Sequence, residues 1–345
     1  MAAADTSRDR AFVPFSEAMR VEPLDSHTYR VDLDASFCIG AVPNGGYSAS
    51  CVLAAARAHL RARGQPDTLA AHFEFPRRTA PGPAVVVVED VRLGRRLSTL
   101  HLSLWQDAGA GAGLLPRAPW VDRAAARCAV LAYATQVDLR AFSGLSAPTG
   151  YASTAAAALP PPPPSAAALA AGTDPRWAEA RPPRSPAIGL SSLRNWRFFV
   201  PRGGEPLAPG VLDMWVRAAS GERVTRAALA YVVDSFPYNL HAFLAAPEAR
   251  ARLAPPRDRA DRERASLWFP TVVLDLQTAA ALPDDGVDWL AVRVTSKLIK
   301  DGKFDLDVLV RDVHGEIIAS SRQIALIVSS ERNTGERAPS AKASL

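Results

Sequence analysis

The sequence predicts an α+β chain of two similar lobes, each an antiparallel sheet wrapped around one central helix. Three observations point there. A helical run followed by several strand-like runs occurs twice along the chain. The strand-like runs alternate apolar and polar residues, the two-residue period of a sheet with one buried face. In the second half, the turn signals Asp301-Gly302 and His314-Gly315 join consecutive runs and favour antiparallel pairing. A length of 345 residues suffices for two domains with substantial cores. The expected division is a first lobe over 1–140, a Pro/Ala-rich connector over 141–190, a second lobe over 191–330 and a flexible polar tail over 331–345.

In the first lobe, a strand over Thr28–Leu33 leads through Phe37 to Pro43-Asn44-Gly45-Gly46. A helix is expected over Tyr47–Arg63, offering Cys51, Leu53, Ala54 and Ala58 to a core, with Gly64 and Pro66 as stop signals. Strands follow at Leu69–Phe75, Ala84–Val91, Ser98–Trp105 and Cys128–Val137, with Asp107–Ala125 as an insertion between the last two. The connector holds an alanine run, the proline run Pro160–Pro164, which should be extended and stiff, and Arg181-Pro182-Pro183.

The second lobe repeats the plan. Strands at Trp196–Val200 and Val211–Arg217 and an apolar, strand-like run over Ala228–Val233 precede a helix expected to open at Ser235. Leu240, Phe243 and Leu244 would face its core, and Pro247 would end or kink it. Any continuation through Arg252 and Leu253 must stop by Pro255-Pro256. Strands return at Leu267–Leu276, Trp289–Leu298, Phe304–Arg311 and Ile317–Val328. The two lobes could join their sheets edge to edge and so cover unpaired strand edges.

Composition excludes several classes. The formal net charge of +5 is modest and its basic residues are scattered among acids, which suits a polyanionic small molecule but supplies no nucleic-acid surface. Three cysteines, Cys38, Cys51 and Cys128, have neither metal nor disulfide spacing, so a reducing, cytoplasmic setting is expected. No segment reads as a secretory signal or a membrane span. Ala343-Ser344-Leu345 ends like a peroxisomal address but lacks its central basic residue, which leaves a peroxisomal placement open. Six dispersed histidines show no metal-ligand grouping, so no metal and no cofactor is expected. The Gly-x-Ser-x-Gly elbow of many serine hydrolases is missing.

The strongest candidate for chemistry is Asp234, at the mouth of the second lobe. Its carboxylate could cap a helix starting at Ser235, or orient and deprotonate a water. Gln323 shares an alternating face with Ala325 and Ile327, and a buried glutamine needs partners at both ends of its amide. It could hold a water or polarise a carbonyl. Asn44-Gly45-Gly46 would cap the first helix, leaving first-turn amides to bind a developing oxyanion; the amides of Ser235 and Phe236 offer a second such set. Arg77, Arg78, Arg95 and Arg96 in the first half, with Lys297 and Lys300 in the second, are candidates to hold the phosphates of an anionic ligand.

Several of these pieces together resemble the acyl-CoA thioesterase II group and fungal-type thioesterase-like relatives with a double-hotdog fold. They are Gly45-Gly46, Tyr231-Val232-Val233-Asp234, Asp288-Trp289-Leu290 and the run Gly315 to Gln323. The resemblance spans about Arg20–Gln136 and Asn195–Val328. It implies that an Asp, a Ser or Thr and a Gln hold an attacking water, with Asp234 and Gln323 filling two of the positions. The hydroxyl position falls on Val273, two residues before Asp275, and valine cannot bind water. Thr271, Thr278 and Ser296 remain as sources of that hydroxyl, with Val273, Asp275 and Ser296 as surrounding residues. The implied activity is hydrolysis of an acyl-CoA, or a related acyl thioester, to free acid and thiol; self-association into a homo-oligomer is compatible with it. The alternatives are a noncatalytic acyl-thioester or lipid-binding protein, which Val273 favours, an acyltransferase, and a purely structural protein.

Overall fold

The computed structural model describes residues 12–109, 111–147, 149–151, 163–180, 189–202, 209–237, 240–244 and 267–334. The first lobe contributes strands β1 (Val21–Pro23), β2 (Thr28–Leu33), β3 (Asp67–Glu74), β4 (Gly82–Arg92), β5 (Leu97–Asp107) and β6 (Ala126–Val137). The second contributes β7 (Trp177–Ala180), β8 (Trp196–Pro201), β9 (Val211–Ala218), β10 (Thr271–Thr278), β11 (Leu290–Thr295), β12 (Lys303–Arg311) and β13 (Ile317–Leu326). They form one continuous antiparallel sheet in the order β1-β2-β4-β5-β6-β3-β10-β13-β12-β11-β9-β8-β7. The halves meet where β3 pairs with β10, Phe73 opposite Leu274 and His72 opposite Asp275, so each lobe covers the other's open edge as expected. The sheet wraps two central helices, α1 (Gly45–Leu60) and α2 (Leu229–Val233), in the double-hotdog arrangement.

Local chemistry explains the boundaries. Asn44 Oδ1 accepts the Tyr47 amide at 3.0 Å and so caps α1. A 3-10 turn over Arg61–Arg63 continues the helix to Gly64, whose φ of +68° a side chain would resist. Helix α1 is enclosed over most of its surface: Tyr47, Ala49, Cys51, Val52, Ala55 and Ala56 are all inaccessible to solvent, while Leu53, Ala54, Arg57 and Ala58 are half-buried. Of the expected stripe only Cys51 is buried; Leu53, Ala54 and Ala58 are half-buried on the side that lines a cavity, and Val52, Ala55 and Ala56 take the core positions instead. Asp301 (φ 52°) and Gly302 (φ 72°) occupy the left-handed positions of a tight hairpin turn, as their sequence signal required. Phe304, Leu306, Val308 and Val310 form the buried face of β12.

The second helix differs from expectation. The strand-like run before Asp234 is a 3-10 turn over Arg226–Ala228 followed by α2, and all five α2 residues are buried. An unbroken apolar run carries no period that separates a buried strand from a buried helix. No helix opens at Ser235; Asp234 sits at the C-terminal end of α2, with φ −110° and ψ 17°. Leu240–Phe243 forms one 3-10 turn, with Leu240 and Phe243 buried. Pro247, Arg252, Leu253 and Pro255-Pro256 lie outside the described residues, as do Arg181-Pro182-Pro183 and most of the alanine and proline runs.

Two stretches are more structured than their composition suggested. Within the connector, β7 is an edge strand on β8, and Trp177 packs with Phe199, Trp215 and Ala291 on the outer sheet face. At the start of the expected tail, Glu331–Thr334 makes a helical turn. Asn333 there is buried, accepting from the Ala41 amide at 2.9 Å and donating to the Ile39 carbonyl at 2.9 Å. Side-chain bonds to the backbone thus replace the apolar anchors that a sequence reading looks for.

Candidate active site

Helices α1 and α2 run antiparallel, so the N-terminus of one meets the C-terminus of the other. Their contact is close enough that a Cβ on Gly46 would lie 2.2 Å from the Ala230 carbonyl oxygen and 2.6 Å from Asp234 Cβ. Glycine is required there by proximity. At Gly45 the same test puts a Cβ 3.1 Å from Asp234 Oδ2. The paired glycines therefore bring the positive end of α1 directly onto the carboxylate.

Asp234 is held by neutral donors. Its Oδ2 accepts the Gly46 amide at 2.8 Å, and its Oδ1 accepts the Thr271 hydroxyl at 3.0 Å. The Asn44 side-chain amide donates to the Asp234 backbone carbonyl at 3.1 Å, so the residue that caps α1 also fixes the end of α2. Burial pushes the Asp234 carboxyl up to about 6, and donors from Gly46, Thr271 and Asn44 offset this only in part. Some Asp234 surface stays accessible. At neutral pH such a group is mainly ionised yet a much stronger base than an ordinary carboxylate.

Gln323 lies beside it. Its Nε2 donates to the carbonyl of Val233, the neighbour of Asp234, at 2.8 Å and to Ser321 Oγ at 3.3 Å. Its Oε1 is buried and has no partner among the described residues. A fixed amide with a spare acceptor can hold a water proton. The nearby Gly45 amide, the first of α1, also has no acceptor among the described residues.

The hydroxyl that reaches Asp234 is that of Thr271, and the Val273 position faces elsewhere. A β-bulge between Thr271 and Val273 adds one residue against the β13 register. Beyond it Leu274, Leu276 and Thr278 are buried, while Val273 and Asp275 share the opposite face. Counting back by twos from Asp275 therefore follows the wrong side of the sheet, and the bulge turns Thr271 inward. A bulge has no sequence signal strong enough to show this in advance.

Other expected site residues do not converge. Asp275 faces outward, with its Oδ1 2.6 Å from His72 Nδ1. Ser296 follows β11, its amide on the Gly210 carbonyl, and Thr278 is at the far end of β10 from Thr271. The Ser235 amide is spent on the Val232 carbonyl at 3.2 Å and its hydroxyl on the Tyr231 carbonyl at 2.7 Å, so Ser235 offers no oxyanion donor. Phe236 packs against the core.

The basic residues also divide. Arg77 and Arg78 are exposed just beyond Phe75, whose ring is 3.6 Å from a Cβ placed on Gly45, and Arg78 lies over the Trp268 ring. Lys300 is exposed on the hairpin at the same end of the sheet, where Phe304 and Thr271 both pair with Ala325. Lys297 is held by Asp305 and Asp307. Arg95 and Arg96 lie in the β4–β5 turn at the opposite end, beside Leu97 paired with Val137 and Val137 with Asp67. A cavity of about 460 Å³ opens between the C-terminal half of α1 and Arg226–Leu229; Asp234 and Gln323 do not line it. Among the described residues, no helix is long and apolar enough to cross a membrane.

Comparison with known proteins gives a consistent outcome. The family model of the acyl-CoA thioesterase N-terminal domain matches residues 33–137, and that of the C-terminal domain matches residues 154–327. A thioesterase-like protein, TwmA, of Talaromyces wortmannii is 57% identical over 342 residues, covering 96% of this chain and 97% of that protein. Among solved structures, a hot dog fold protein from Alicyclobacillus acidocaldarius aligns with a TM-score of 0.64 at 19% identity, over 91% of this chain and 98% of its own. The acyl-CoA thioesterase II TesB2 of Mycobacterium marinum aligns with a TM-score of 0.58 at 17% identity, over 92% of this chain and 98% of its own. At these identities the two structures speak to the fold.

Proposed function

Because the chain belongs to the acyl-CoA thioesterase family, we propose that it hydrolyses an acyl-CoA or related acyl thioester, using Asp234 as the base toward a water held by Gln323 and Thr271. The observation that carries this reading is the buried Asp234 carboxylate, lifted to about 6 and bonded to neutral donors. Asp234 takes a proton as the water oxygen attacks the acyl carbon. The carbonyl oxygen, becoming negative, receives the Gly45 amide at the positive end of α1. Collapse breaks the carbon–sulfur bond, the thiolate leaves and takes up the proton, and the free acid remains. No step asks for a metal. Arg77, Arg78 and Lys300, exposed at this end of the sheet, would meet the phosphates of CoA.

Hydrolysis gains on simple binding because the hydroxyl that Val273 could not supply is present on Thr271. The test is a panel of saturated acyl-CoAs of graded chain length, read together for binding, free thiol and free acid. Thiol and acid released in equal amounts by the wild type, and lost in Asp234→Asn, support the reading. Binding across the panel without either product supports a carrier instead. Equal rates in wild type and Asp234→Asn reject Asp234 as the base, and acyl transfer to an added alcohol or amine would reassign the reaction.

A further inference from the structure

Far from Asp234, three polar side chains separated in sequence converge at the other end of α1. His27 sits in the turn between β1 and β2, His59 in the last turn of α1, and Asp90 on β4. Their ligand atoms lie within 4.8 Å of one another. His59 Nε2 is 2.8 Å from Asp90 Oδ1, and His27 Nε2 is 3.2 Å from Asp90 Oδ2. We propose that these three residues bind a divalent transition-metal ion of the zinc class.

Orientation of the rings is the independent argument. His59 Nδ1 lies 3.0 Å from the Ser26 carbonyl oxygen, which can only accept, and 3.3 Å from the Tyr29 hydroxyl; with its N–H on the shorter contact, Nε2 turns a lone pair toward Asp90. A neutral imidazole has no second N–H, yet its Nε2 faces a carboxylate oxygen. A cation between Nε2 and Asp90 reconciles two acceptors on opposite sides of one ring. His27 differs in that the Ser26 hydroxyl, 2.8 Å from its Nδ1, can donate or accept, while its Nε2 also points toward Asp90. One residue, Ser26, thus anchors both rings from behind, the support that ligating histidines ordinarily have.

The spacings fit as well. Metal–ligand bonds of about 2.0–2.1 Å place neighbouring ligand atoms about 3.0–3.4 Å apart. The two His–Asp90 spacings of 2.8 and 3.2 Å are close to this, and the ligand atoms of the two rings, within 4.8 Å of each other, would draw together on an ion. The partial negative charge at the C-terminus of α1 favours a cation beside His59. His59 is nearly buried and His27 about half exposed, with side-chain accessibilities of 9% and 47%. One side of the site is therefore fixed by the core while the other stays open for entry and for a water as fourth ligand. Along the helix, His59 lies ~21 Å from Gly45 at ~1.5 Å per residue, so the ion would tie α1 to β4 and the β1–β2 turn without touching the acyl site.

The test uses full-length protein stripped with a chelator, dialysed, and titrated with zinc sulfate by calorimetry, alongside the cobalt visible spectrum and thermal melting. One zinc per chain, a four-coordinate cobalt spectrum and a zinc-dependent rise in Tm are expected. Asp90→Asn and His27→Gln, both on accessible side chains, should each weaken uptake at least about tenfold. No stoichiometric uptake by the wild type overturns the proposal. Uptake unchanged in both variants also overturns it, because the ion then lies elsewhere.

Discussion

The two ends of the central helix pair each bury an aspartate, and they bury it differently. At one end, Asp67 is 2% exposed and meets Arg226 at 2.7 Å, while its other oxygen accepts the Leu139 amide at 3.0 Å. At the other, Asp234 meets an amide and a hydroxyl, and no cation faces it among the described residues. A counter-ion makes the first carboxylate part of the structure. The second, deprived of one, is left with an affinity for protons that the fold does not satisfy. Burial alone therefore does not mark a base; burial without a compensating charge does.

Asp234→Asn should have the largest effect on turnover, a loss of about 10²–10⁴-fold in thiol release. Its effect on stability runs the other way. A carboxyl raised to about 6 from an unfolded value near 3.9 favours the fold fully only below about pH 4, and that contribution is lost as pH rises through about 6. Chemical denaturation at pH 8 should find the variant no less stable than the wild type. A clear loss of stability would mean that Asp234, like Asp67, is a structural carboxylate.

Arg226→Met sharpens the contrast from the other end. It strands Asp67 without its cation and should cost about 3 kcal/mol in denaturant unfolding, with specific activity per folded molecule retained. Gly46→Ala drives a methyl against the Ala230 carbonyl and should cost ~1–3 kcal/mol, together with activity, because the α1–α2 contact must open. Val273→Ala should change thiol release little, since Val273 lies on the face of β10 away from Asp234. A strong loss there would put residue 273 on the face toward Asp234 and undo the reading of the bulge.

Much of the fold was legible because sheets write their period into the sequence. Strands β2 and β12, the cap at Asn44, the stop at Gly64 and the Asp301-Gly302 turn all follow from alternation or backbone preference. The second helix was not, because Leu229–Val233 is apolar at every position and burial from all sides erases periodicity. Of the site, Asp234, Gln323 and the Gly45-Gly46 pair stood out, each an unusual residue for its setting. Thr271 did not, because one extra residue in β10 exchanges the two faces of the strand. Charge alone likewise could not sort Arg77 and Arg78, which flank the site, from Arg95 and Arg96, which lie at the other end of the sheet. The grouping of His27, His59 and Asp90 depends on three distant elements meeting, which spacing along the chain does not encode.

The pH dependence of kcat/KM for thiol release, compared between wild type and Thr271→Val, addresses the base most directly. Wild-type activity should rise through an inflection near pH 6 to a plateau as Asp234 ionises. Removing the Thr271 hydroxyl deletes a donor that favours the ionised form, so the inflection should move to higher pH while the plateau falls. A wild-type profile without that inflection, or one that stays in place when the hydroxyl is removed, would contradict Asp234 as the group that activates water.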